Sequence, residues 1–157
     1  MNAFTLIHVA ISLVGILAGF VVIAGMLKSN SCPVWTSVFL WFTFATSVTG
    51  FMFPYHGFTP AIGVGVLSIL ILAPVFYARN ARKMAGGWRL VYVIGALVAQ
   101  YLNFFVLSVQ SFQKIPALKA LAPTQSEPPF AAAQGSALLL FIVLGIFAVR
   151  RFRPPAK

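Results

Sequence analysis

Apolar residues run along this chain in five long stretches with almost no interruption, over 4–27, 34–53, 60–78, 88–112 and 130–149. At a helical rise of ~1.5 Å per residue, each stretch is long enough to cross a hydrocarbon layer of ~30 Å, or nearly so. A lone strand in lipid would leave its backbone groups unpaired, and the stretches lack the alternation of a barrel strand. The pattern therefore predicts an all-α integral membrane protein: five transmembrane helices bundled in a single domain over 1–157, with outer loops at 54–59 and 113–129. The first stretch lacks a basic leader region and is longer than a signal-peptide core, so it is read as a retained helix.

Small and polar residues recur inside the stretches at helical spacing, which marks faces that meet other helices rather than lipid. His8, Ser12, Gly15 and Gly19 share one face of the first span, with Gly15 and Gly19 forming a G-x-x-x-G pair. Thr36, Thr43, Ser47 and Gly50 line up on the second span, and Tyr92, Ala96, Ala99, Asn103, Gln110 and Gln113 on the fourth. Asn103 carries an amide near mid-span that hydrocarbon cannot satisfy, so a bond across helices to a hydroxyl such as Thr43 or Ser47 is expected. Between the fourth and fifth spans, Pro116 to Pro123 reads as one or two helical turns in the interface. Thr124-Gln-Ser-Glu127 resembles a capping box, but Pro128 follows at once and biases Glu127 toward an extended conformation.

Charge supplies the orientation. The chain is 61% hydrophobic and 8% charged, with eleven Lys and Arg against a single acid, Glu127, for a formal charge of +10. Nine of the bases, Lys28, Arg79, Arg82, Lys83, Arg89, Arg150, Arg151, Arg153 and Lys157, fall on one side if there are five spans, and a count of four or six would split them. Because Lys and Arg near span ends stay on the cytoplasmic side, the N-terminus is expected outside and the C-terminus in the cytoplasm. The same placement points to anionic lipid headgroups at the cytoplasmic face, not to nucleic acid.

Candidate chemistry gathers at the outer boundary, where His8, Tyr55, His56, Gln110, Gln113, Lys114, Gln125, Glu127 and Gln134 are all expected. No G-x-S-x-G elbow or H-E-x-x-H helix occurs, and there is no Asp to orient a histidine, so no catalytic residue is assigned. No ionisable residue lies at the middle of a span to bind a coupling ion. One cysteine, Cys32, allows neither an intrachain disulfide nor a thiol metal cage. No metal or cofactor is expected. The alternative is a non-covalent haem b on His8 and His56 in a membrane electron carrier, since no C-x-x-C-H attachment motif is present.

The segments Ser47-Val-Thr-Gly-Phe-Met-Phe-Pro-Tyr-His-Gly-Phe-Thr-Pro60, Phe112-Gln-Lys-Ile-Pro116 and Pro123-Thr-Gln-Ser-Glu-Pro-Pro-Phe130 give the chain a resemblance to small, uncharacterised bacterial inner-membrane proteins. DoxX-like membrane proteins are similar in size alone. The resemblance implies a bacterial inner membrane and a multi-pass fold, and transfers no activity. Together these features predict a non-enzymatic membrane protein, a small-molecule or lipid-handling component or an accessory subunit that works through its outer face beside other membrane subunits.

Overall fold

In the computed structural model of the chain, residues 3–54, 57 and 60–153 are described. They form α1 (Ala3–Leu27), α2 (Pro33–Gly50), α3 (Pro60–Asn80), α4 (Trp88–Lys114), the short α5 (Pro116–Leu121) and α6 (Pro128–Arg151). No strand occurs among the described residues. Four of the helices, α1, α3, α4 and α6, are long and apolar enough to cross a membrane. The chain is thus a multi-pass helical membrane protein. Helix α2 is the exception: it stops at Gly50 after 18 residues, short of the 34–53 stretch. Its six hydroxyls, on Thr36, Ser37, Thr43, Thr46, Ser47 and Thr49, dilute its apolar character.

Those hydroxyls make α2 a packing helix. It lies between α1 and α3, while α4 touches α1, α3 and α6. Phe39 and Leu40 of α2 are buried with Val22 and Met26 of α1, Leu72 and Val75 of α3, and Tyr92 and Val93 of α4. On the other faces, large side chains such as Leu17, Leu70, Ile94 and Leu139 stand more than half exposed. Faces that apolar cannot remain bare in water, and in lipid they are the solvated surface.

Most of the bases collect at one end, with Lys114 and Lys119 at the other. Arg79, from the last turn of α3, donates to the Pro33 carbonyl (2.7 Å) and to Ser37 Oγ (2.8 Å) at the start of α2. Arg89, in the first turn of α4, donates to the carbonyls of Val149 (2.9 Å) and Phe152 (2.8 Å) where α6 ends. The Arg153 N–H donates to Ser29 Oγ at the end of α1 (2.8 Å). Thr36 gives its hydroxyl proton to the Ser31 carbonyl (2.9 Å) and accepts from Tyr92 Oη (3.3 Å). These bonds bring together the C-terminal ends of α1, α3 and α6 and the N-terminal ends of α2 and α4. The five long helices therefore alternate in direction. At the end of α6, carbonyls that no longer have an intrahelical partner are satisfied by the Arg89 guanidinium, which also complements the negative helix end, while Arg79 complements the negative end of its own helix, α3, and ties it to the start of α2.

Glycine sets the closest approaches. A β-carbon on Gly95 of α4 would collide with Val75 of α3, and one on Gly19 of α1 would run into the side-chain carbonyl of Gln100. Pro74, inside α3, has no N–H for the Leu70 carbonyl four residues earlier.

Candidate functional site

The end opposite the bases divides into two groups. The first is built by α1 and α2. His8 Nδ1 lies 2.8 Å from Thr49 Oγ1, while Thr49 spends its single hydroxyl proton on the Ala45 carbonyl (2.7 Å). With the Thr49 proton on the Ala45 carbonyl, Nδ1 is the ring donor and Nε2 the acceptor. Phe53 meets the imidazole edge-on at 5.1 Å between centroids, and Phe4 packs on Phe53 in a tilted arrangement at 5.0 Å. His8 is half-buried, and Thr49 and Phe53 orient its ring.

The second group is built by the end of α4, by α5 and by the segment leading into α6. Gln125, in the left-handed region at φ 60°, donates through Nε2 to the Val109 carbonyl (2.8 Å) and accepts from Gln113 Nε2 (3.4 Å). Glu127 is extended at φ −79° and ψ 155°, as a residue before proline should be. Its carboxylate turns back to accept from the Thr124 N–H (3.1 Å), Thr124 Oγ1 (2.9 Å) and the Ser126 N–H (3.1 Å). Partial dehydration of this carboxyl opposes ionisation, but bonds from Thr124, from its own backbone and from Ser126 outweigh it and hold the group below the ordinary carboxylate range. Phe112, Gln113, Lys119, Pro123, Thr124 and Gln125 surround an open cavity of about 310 Å³.

A pH dependence follows from Glu127. A carboxyl whose folded pKa is depressed stabilises the fold above its unfolded pKa, and that contribution is lost as pH falls from the unfolded value through the lower folded one. Hydrogen-exchange protection of the Thr124 and Ser126 amides is expected to fall across that window in the natural protein. In Glu127→Gln it is expected to be low and flat with pH, and full protection in that variant would refute the carboxylate clasp.

The other expected site residues are more scattered. Gln134 reaches the Phe105 carbonyl at 3.5 Å, and its Oε1 is buried without a hydrogen-bond partner. Gln110 is half-buried on α4, and Lys114 is exposed in its last turn. Among the described residues no hydrogen bond links the His8 group to the Gln113 and Gln125 group. Tyr55 and His56 lie outside the described residues, and with them the second ligand of the haem alternative. Among the described residues no three His, Cys, Asp or Glu side chains converge on a metal-sized site.

Within the bundle, Asn103 Nδ2 donates to Thr43 Oγ1 (2.9 Å), and Ser47 instead bonds the Thr43 carbonyl (3.0 Å). The polar group that sequence reasoning missed is Gln100, fully buried on α4. Its Nε2 donates to the Ile16 carbonyl (2.8 Å), and its Oε1 has no partner. Its position was open to inference: it lies one turn after Ala96, on the face marked by Ala96, Ala99 and Asn103.

No protein-family model, curated protein or solved structure matches the chain.

Proposed function

We propose that the protein is a non-enzymatic bacterial inner-membrane component that binds a small amphipathic molecule at the end opposite its bases. In this reading five helices cross the membrane, α2 included, with the N-terminus outside and the basic end in the cytoplasm. The gathering of Lys28, Arg79, Arg82, Lys83, Arg89 and Arg150 to Arg153 at one end supports that orientation by the retention of positive charge. The alternating direction of the helices supports the count.

The observation that carries the functional reading is the cavity of about 310 Å³ beside α5. Its polar atoms are unequally committed. Thr124 Oγ1 is spent on Glu127 and Gln125 Nε2 on Val109. Lys119 Nζ and the Gln113 carbonyl are the groups offered to a ligand, with Phe112 and Pro123 as apolar walls. That set suits a molecule with an anionic or hydroxyl head and a short apolar body, either handled by this protein or passed to another membrane subunit.

Solvent extraction of the full chain, purified in mild detergent, followed by mass spectrometry, tests the proposal. A compound near one per protein is expected in the natural chain. It should be depleted about tenfold in a Gln113→Ala, Lys119→Gln variant of unchanged melting temperature, the loss expected for two polar contacts. Identical small-molecule profiles in the two preparations would refute it.

A further inference from the structure

Helix α3 packs chiefly on α2 and α4, so among the described residues no other helix packs along the outer seam between α3 and α4. Along the basic-end halves of the two helices this seam opens into an apolar groove of about 560 Å³. Leu70 and Pro74 form one wall and Leu90, Ile94 and Val98 the other. The groove has a structural origin. Gly95 lets Val75 approach α4 so closely that a β-carbon there would collide with it, which draws the helix axes together beneath the larger side chains on the rims. The compact ring of Pro74 leaves the space between those rims unfilled.

We propose that this groove binds one anionic phospholipid, with an acyl chain along the seam and the phosphodiester held by Arg82 and Lys83. The proposal uses the membrane orientation given above but is independent of the cavity beside α5. Four bases flank the seam, and they divide by what they do. Arg79 is bonded to Pro33 and Ser37 and Arg89 to Val149 and Phe152, so both are engaged within the bundle. Arg82 and Lys83 are exposed on the connection between α3 and α4. The Arg82 guanidinium lies over the Trp88 ring at 5.7 Å from its centroid, and Trp88 packs on Tyr77 at 5.0 Å. An aromatic pair with a cation beside it is what a lipid headgroup region favours. Leu90, where the groove wall on α4 begins, is two residues beyond Trp88. Headgroup contacts and chain contacts therefore follow one another along the same helix pair, as they do along a phospholipid.

Charge selects the occupant. The only acidic side chain in the sequence, Glu127, is at the opposite end of the bundle, so no Asp or Glu competes for Arg82 and Lys83. A second copy docked on the same seam would bring its own Arg82 and Lys83 against these, which like-charge repulsion opposes. An anionic lipid neutralises them, and basic clusters beside transmembrane helices recognise such headgroups.

Native mass spectrometry of the full chain, equilibrated with mixed micelles of phosphatidylglycerol and phosphatidylcholine, tests the site. One phosphatidylglycerol is expected to be retained in preference to phosphatidylcholine. R82Q with K83Q should weaken its retention roughly thirtyfold, each base near an anionic headgroup contributing roughly fivefold. Ile94→Trp, which fills the groove from its lipid-facing rim, should lower retention of both lipids. K28Q with R150Q, at the same end but off the seam, should change neither. Equal retention of the two lipids, or a loss in the Lys28 and Arg150 variant as large as that at Arg82 and Lys83, would overturn the proposal. So would a dimer that Ile94→Trp dissociates, since the groove would then hold a second copy.

Discussion

Gly19→Val is expected to lower the stability of the detergent-solubilised protein by roughly 3 kcal/mol, a shift of roughly 10 °C in melting temperature for a chain of this size. A β-carbon at position 19 meets the side-chain carbonyl of Gln100, which is fully buried and cannot retreat without giving up its bond to the Ile16 carbonyl. The substitution thus adds overpacking to a displaced amide in a region that offers no water. The two effects share one contact, so they should be strongly non-additive. Gln100→Ala in the Gly19→Val background opens the space and is expected to recover at least half of the loss. Gln100→Leu alone should cost little, because it removes a donor bond together with an Oε1 that has no partner. Additive losses in the double variant would show that Gly19 and Gln100 are not in contact.

That pair also shows where sequence reading stops. The apolar runs located α1, α3, α4 and α6, because only helices satisfy their own backbone in lipid. The spacing of Gly15 and Gly19 marked the face on which α1 packs. What the spacing cannot convey is which side chain fills the room a glycine leaves, since Gln100 and Gly19 are brought together only by the fold. In the sequence, the 34–53 stretch reads as an apolar run like the others. The hydroxyls of α2, packed between α1 and α3, make it less apolar than those helices, and Phe51 to Pro54 continue the apolar pattern after the helix has ended.

The bases present the same contrast. Their positions carry a topology signal that can be read from the chain alone, yet Arg79 also ties α3 to the start of α2, and Arg89 caps the end of α6. That second role depends on tertiary placement, and it separates them from Arg82 and Lys83. At the opposite end, the polar residues expected as one cluster form two groups. His8 is held by Thr49, one of the hydroxyls of α2, and Gln125 is held by backbone of α4. Neither partner is near in sequence, at 41 and 16 residues' separation. The extended conformation of Glu127 was legible because a proline acts on the residue directly before it.

If α2 crosses the membrane with the other four long helices, Lys28, Arg79, Arg82, Lys83, Arg89 and Arg150 to Arg153 all lie on the cytoplasmic side, and Lys114 and Lys119 lie outside. Crossing is all or none, so the expected effect is large. With Cys32 replaced by serine, single cysteines at Asn30, Met52, Ala85 and Ala120 can be challenged in intact cells with a membrane-impermeant maleimide. Five spans require Met52→Cys and Ala120→Cys to label from outside, and Asn30→Cys and Ala85→Cys to label only after the membrane is opened. If α2 did not cross, Asn30→Cys and Met52→Cys would share a side and Ala85→Cys would lie across the membrane from both. Labelling of Asn30→Cys and Ala85→Cys on opposite sides would show that α2 does not cross.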